Sequence, residues 1–267
     1  MRHAPHSLAS TVAITVALLT MTSCGGSGND SVVHFEGPSH ASIGESTLNH
    51  WMQVMAGDDI RRNLGTEGPT GLASEPADYQ RCFAAAKLVA PRSFFNQIRY
   101  DRVQITEQCH QLHQAIKTQA LAFLISAHWT IVEGAERGIT ASAADVQSAF
   151  DTARKQPYPT EAALRRYLGE RHWSLSDLLY RVKLDLLAGK LQEHAGTKGA
   201  SAGSDQLISP RLTSKRLQNS ASKTICRAGY VVVGCSEYRG PPTAAPSADL
   251  LIEKLTGKHV ETPAGTA

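Results

Sequence analysis

The stretch from about residue 105 to residue 137 limits the folds open to this chain more than any other feature. Cys109, Leu112, Ile116, Ala120, Phe123, Ala127 and Ile131 recur there at three- and four-residue steps, and Leu124, Ile125, Trp129 and Val132 widen the stripe. That period places the apolar side chains on one face of an α-helix. Gly138 follows as a natural helix C-cap. At 1.5 Å per residue such a helix is on the order of 50 Å long. A helix of that length holds its shape only when other elements pack along much of it, so the rest of the chain has to supply them.

The flanking segments read as shorter helices. Residues 45–56 set Leu48, Trp51, Met52 and Met55 at i, i+3, i+4 and i+7. Residues 57–77 are rich in Gly, Asp, Glu and Pro and read as a loop; 78–90 reads as a helix stopped before Pro91. Ser142 with Asp145 is a capping-box-like start for 143–155, with Val146, Ala149 and Phe150 as its apolar positions. Pro157 and Pro159 break it, Thr160 opens 161–171, and Ser174 with Asp177 opens 175–194. On this last helix Leu175, Leu178, Leu179, Val182, Leu186 and Leu187 form the apolar face. Val32 to Phe35 alternate weakly before Gly37-Pro38, as a short strand or extended arm would. The expected fold is therefore mainly α, with a long central helix.

After residue 195 the texture changes. Residues 196–225 are small and polar, a linker with room for a short helix around 211–221. Residues 226–238 read as a small β-element closed by Cys226 and Cys235, with Tyr230 and the valines 231–233 as β-formers. The proline-rich end, 239–267, reads as a mobile tail.

The N-terminus sets the compartment. Residues 1–23 have a short basic start, an uncharged apolar run over 8–21 and small residues before Cys24, the layout of a secretory signal peptide. The apolar run falls short of the roughly 20 residues that span a bilayer. Met21-Thr22-Ser23-Cys24 looks like a bacterial lipobox, which makes Cys24 the lipidation site and 24–31 a flexible leader. Diacylation would hold the protein at the outer face of the cell membrane. In an oxidising compartment the other four of the five cysteines become disulfide partners. Sequence order suggests Cys82 with Cys109 and Cys226 with Cys235, although four cysteines permit three pairings. A metal on Cys109, His110 and His113 is the weaker reading, since no fourth ligand is placed nearby. A net charge of only +3 gives no reason to expect nucleic acid.

These elements have a familiar order. VVHFEG, a break, Ile43, and a helix bearing Leu48 and Trp51 resemble the opening of the SurA/PrsA-type parvulin foldase family. Residues 138–191 resemble the run of three helices in that family's N-terminal chaperone domain. The actinobacterial lipoprotein branch is the nearest in pattern, through Cys82, Cys109 and the close formed by Cys226, Gly229, Tyr230, Val232 and Cys235. The resemblance covers about 32–195 and 222–238, and it implies that 32–195 is a helical chaperone domain.

The same resemblance implies an ATP-independent holdase or foldase-like lipoprotein whose partners are unfolded or nascent exported polypeptides. Trp51, Met52, Met55, Phe94, Phe95, Trp129 and Tyr180 are the candidate client-binding residues, because apolar, adaptable linings accept many partners. Family members often carry a prolyl isomerase domain of on the order of 100 residues. The 29 residues between Gly196 and Cys226 are too few for one, and after His194 only His259 remains. No catalytic residues, cofactor or metal are therefore assigned. A degenerate prolyl isomerase and a dedicated envelope assembly partner stay as alternatives, and dimerisation through the arm or the long helix is left open.

Overall fold

The computed structural model describes residues 30–37, 40–64, 70–83, 102–194 and 220–240. The expectations for the signal peptide, Cys24, Phe94, Phe95, the linker around 196–219 and the tail from 241 lie outside these residues. The described part is mainly helical, with one small sheet and two disulfides.

The expected arm is strand β1, Ser31–Phe35. It is the central strand of a three-stranded antiparallel sheet, between β2, Ser42–Gly44, and β3, Thr224–Cys226. Val33 lies opposite both Ile43 and Cys226, and Phe35 lies opposite Thr224. The alternation buries Val33 and Phe35 and leaves His34 and its neighbour Ile225 outside. The C-terminal β-element thus differs from its expected form. Its strand lies at 224–226, beginning two residues inside the stretch expected to be linker, while Tyr230 and the valines after it form no strand. Gly229 at φ +86° and Gly234 at φ +105° bend a loop that the Cys226–Cys235 bond closes, so β-propensity has no straight segment to act on.

Helix α1 runs Glu45–Leu64, past the expected end at 56, because a helix already nucleated gains one hydrogen bond per added residue. A 3-10 turn at Thr70–Ala73 follows, then helical residues 79–83, started by Asp78 accepting from the N–H groups of Gln80 and Arg81. The long helix, α2, spans Arg102–Glu136. It closes where Gly138 takes φ +67° and the Ile139 N–H reaches back to the Gly134 carbonyl at 2.7 Å. By length and composition alone, 105–136 could cross a membrane. Here its stripe is instead covered by α1, the 3-10 turn and the last helix.

Helix α3, Ala143–Ala153, carries the complete capping box between Ser142 and Asp145 and buries Val146 and Phe150. Helix α4, Glu161–Arg171, is capped by Thr160 and ends at His172 in the left-handed region. Helix α5, Leu175–His194, packs on both α2 and α3, while α4 packs on α1. Contact with two helices widens the buried face of α5: Leu184 and Leu191 join it, and Leu175 at its first turn is exposed. The indole of Trp173 donates to the Val54 carbonyl at 2.8 Å and ties the α4–α5 turn to α1.

Candidate functional site

Of the residues expected to line a client surface, three are buried and two, Trp129 and Tyr180, are partly buried. Trp51, Met52 and Met55 are 3%, 0% and 5% exposed, so they are core and offer nothing to a client in this conformation. The i, i+3, i+4, i+7 spacing that marked them is the spacing of a stripe buried against α2. The Trp51 ring lies 4.5 Å from Phe123 and 5.5 Å from Tyr180, and the buried Arg181 guanidinium sits 4.1 Å above Trp173. Burial pushes the Tyr180 phenol up to about 12. Trp129 is a strut: its indole donates to the Thr224 hydroxyl at 2.9 Å, which donates to the Ser220 carbonyl. Beside it, Phe35 stacks on His128 at 3.7 Å, and burial holds that imidazole down to about 4. Among the described residues the exposed large apolar side chains are Val103, Leu175, Ile225 and Val231, at the starts of α2 and α5 and in the C-terminal element.

The densest group of interacting polar side chains lies on the other half of α2. Cys109, His113 and Lys117 are four residues apart and share one face. Cys109 is bonded to Cys82, with a Cα separation of 6.1 Å, which fastens residues 70–83 over that face. His113 is 1% exposed; its Nε2 is 2.6 Å from Glu75 Oε1 and its Nδ1 is 2.9 Å from the Leu72 carbonyl oxygen. Lys117 Nζ donates to the other Glu75 oxygen at 3.4 Å. The Glu75 backbone N–H donates to Asn49 Oδ1 at 2.8 Å, which fixes that residue to α1.

The group continues outward. Lys117 Nζ lies 5.0 Å from the centre of the Tyr230 ring and the Arg227 guanidinium 4.6 Å from it, while Arg227 also pairs with Glu45 at the start of α1. Tyr79 stacks on His110 at 3.8 Å and meets His113 edge-on. Burial raises the Glu75 pKa, but the Lys117 charge and the His113 hydrogen bond outweigh it and leave the carboxyl below its usual value. Burial, with the Glu75 charge added, holds the Tyr79 phenol above its usual value.

Chemically this group is a clamp. Both Glu75 oxygens and both His113 nitrogens face partners, so no group is poised as nucleophile or general base. Glu75 escaped sequence reasoning because it comes from a loop without a period, Tyr230 was read only as a β-former, and Lys117, four residues after His113, was a spacing signal left unread. The metal reading of Cys109, His110 and His113 fails on the same geometry, since the sulfur is in a disulfide and His110 stacks on Tyr79. Cys226, Cys235 and Glu237 also lie together, but those sulfurs are bonded to each other and Glu237 accepts from the Cys226 N–H.

A second junction joins α1 to α5. Asp177 is buried; one of its oxygens accepts from the Ser174 N–H and hydroxyl, and the other is 2.7 Å from His50 Nε2. Burial raises its pKa, and the Ser174 and His50 hydrogen bonds bring it to a net value below the usual one. Further along α5, burial pushes the Asp185 carboxyl up to about 7 against the pull of Arg181, and its Oδ2 meets no hydrogen-bond partner among the described residues. Comparison with protein-family models, with curated proteins and with solved structures finds no match for this chain.

Proposed function

We propose that this protein is a membrane-anchored extracytoplasmic lipoprotein acting as an ATP-independent chaperone for exported proteins, in the manner of the SurA/PrsA-type N-terminal domain. The observation that carries the reading is the order of elements: a β-arm, a helix, a long central helix and three consecutive helices. β3, after all the described helices up to His194, returns to pair with the arm. Two disulfides within one fold suit an oxidising compartment. No isomerase step enters the proposal, and a proline-isomerisation assay on a tetrapeptide is expected to show only the background rate.

The burial of Trp51, Met52 and Met55 moves client contact to the remaining candidates, of which Phe94 and Phe95 lie outside the described residues. It also favours a second reading, a dedicated partner of one envelope protein, because a buried core leaves fewer adaptable apolar contacts for many clients. A photo-crosslinking residue at Phe94 or Phe95, in cells, separates the two. The chaperone reading expects adducts of many sizes, together with suppressed aggregation of a reduced, unfolded client in vitro. A single discrete adduct with no suppression overturns it in favour of the dedicated partner.

A further inference from the structure

Residues 228–234, Ala-Gly-Tyr-Val-Val-Val-Gly, form a loop whose one polar side-chain group is a phenol. Val232 roots it in the core at 5% exposure, whereas Ala228 and Gly229 are exposed and Val231 is 37% exposed. Surface loops are ordinarily polar, so an exposed apolar one points to a partner. The Cys226–Cys235 bond closes the base of the loop, and the Arg227 N–H donates to the Val32 carbonyl at 3.0 Å. β3 runs antiparallel to β1, so the chain beyond Cys226 continues toward the start of β1. At that end the Glu45 N–H donates to the Asp30 carbonyl at 3.0 Å, and the Glu45 carboxylate pairs with Arg227. The apolar loop and Asp30, the first described residue, therefore share one end of the sheet.

We propose that this end of the sheet faces the membrane and that the 228–233 loop seats on the lipid surface. The inference rests on the lipoprotein reading of Cys24. Asp30 follows Cys24 by six residues, which reach at most about 20 Å when fully extended. A diacylated Cys24 thus holds the end of the sheet where β1 starts close to the headgroups, and the loop lies on that end. Val231 supplies an apolar contact there, and Tyr230 has the ring and hydroxyl that suit the boundary between headgroup and acyl chain. The charges around the loop are Arg227 with Glu45, Lys117 with Glu75, and Asp30. They leave no excess of positive charge, so the contact is apolar and not an attraction to anionic lipid. One small loop buries too little to hold a membrane alone; the anchor supplies the affinity and the loop sets the orientation.

The test uses the full chain, made in cells that lipidate exported proteins and placed in phosphatidylcholine vesicles with a lipid-borne quencher. Lys223 is exposed just before β3, at the opposite end of the sheet. A genetically encoded fluorescent residue at position 231 is expected to be quenched about threefold or more over one at 223, because a seated loop lies ~5–10 Å into the headgroup boundary. Val231→Asp, at an exposed position, is expected to bring the quenching of a label at 228 down to the 223 level. Mass spectrometry of the N-terminal peptide reads the lipid on Cys24 separately. A lipidated chain with equal quenching at 231 and 223 overturns the seating and leaves the lipoprotein reading standing, whereas a Cys24 without lipid overturns both. Quenching that appears only with anionic lipid and fades in salt also overturns the apolar contact.

Discussion

The two halves of α2 are held by different physics. From Phe123 onward the helix is gripped by apolar surfaces of regular elements: α1 with Trp51, α5 with Leu184 and Leu187, and β1 with Phe35. Around Cys109 to Lys117 its described partners include a short turn and the helical residues 79–83, in which Leu72, Ala73 and Cys82 are buried. The three buried apolar residues of that segment offset only part of its ordering entropy. A covalent bond and a buried ion cluster take over. Buried charges lend little net stability, yet removing one partner is severe because the other is left uncompensated.

Four changes test that contrast. Trp51→Ala strikes the apolar half, and its expected cost is about 3–5 kcal/mol in urea unfolding, spread over the whole fold. A loss under about 1 kcal/mol there would mean that Trp51 is not core in solution. Replacing Cys82 and Cys109 by serine opens a loop with ends 27 residues apart and is expected to remove about 3.5 kcal/mol in the chain-entropy model. Amide exchange should then rise first at 70–83 and last in α5, whereas uniform loosening would erase the distinction between the halves. Gly134→Ala sets a methyl 2.8 Å from the Ile139 carbonyl and 3.4 Å from Leu187, so the end of α2 must shift, at about 2 kcal/mol. Thermal unfolding measures it.

The smallest expected effect is a gain. The Asp185 carboxyl sits at about 7 in the folded state against 3.8 as an ordinary aspartate, so folding favours its protonated form. Stability therefore falls as pH rises between those values. Asp185→Asn should add about 1 kcal/mol above neutral pH and nothing below about pH 4. A gain that persists in acid would assign the effect to something other than that carboxyl.

Much of the helical frame was legible because its boundaries are written locally. Ser142 with Asp145, Thr160, and Ser174 with Asp177 each start a helix through their own side chains, and the observed starts fall on them. Strand β3 was not legible: three residues carry no period, and its partner β1 lies at the other end of the chain. Trp51, Met52 and Met55 were misplaced because a stripe facing a neighbouring helix and one facing a groove have the same spacing. The clamp stayed hidden since Glu75 reaches His113 from a loop whose position only the fold defines.

The central place of β1 has a consequence in time. A chain synthesised from its N-terminus presents β1 and β2 early, yet the other edge of β1 stays open until residues 224–226 emerge. Until then the arm is an unpaired strand edge on a partly formed fold, which is the kind of surface that captures wrong neighbours. Completion of the sheet therefore waits for a segment about 190 residues downstream of the arm, after all the described helices up to His194 have been made.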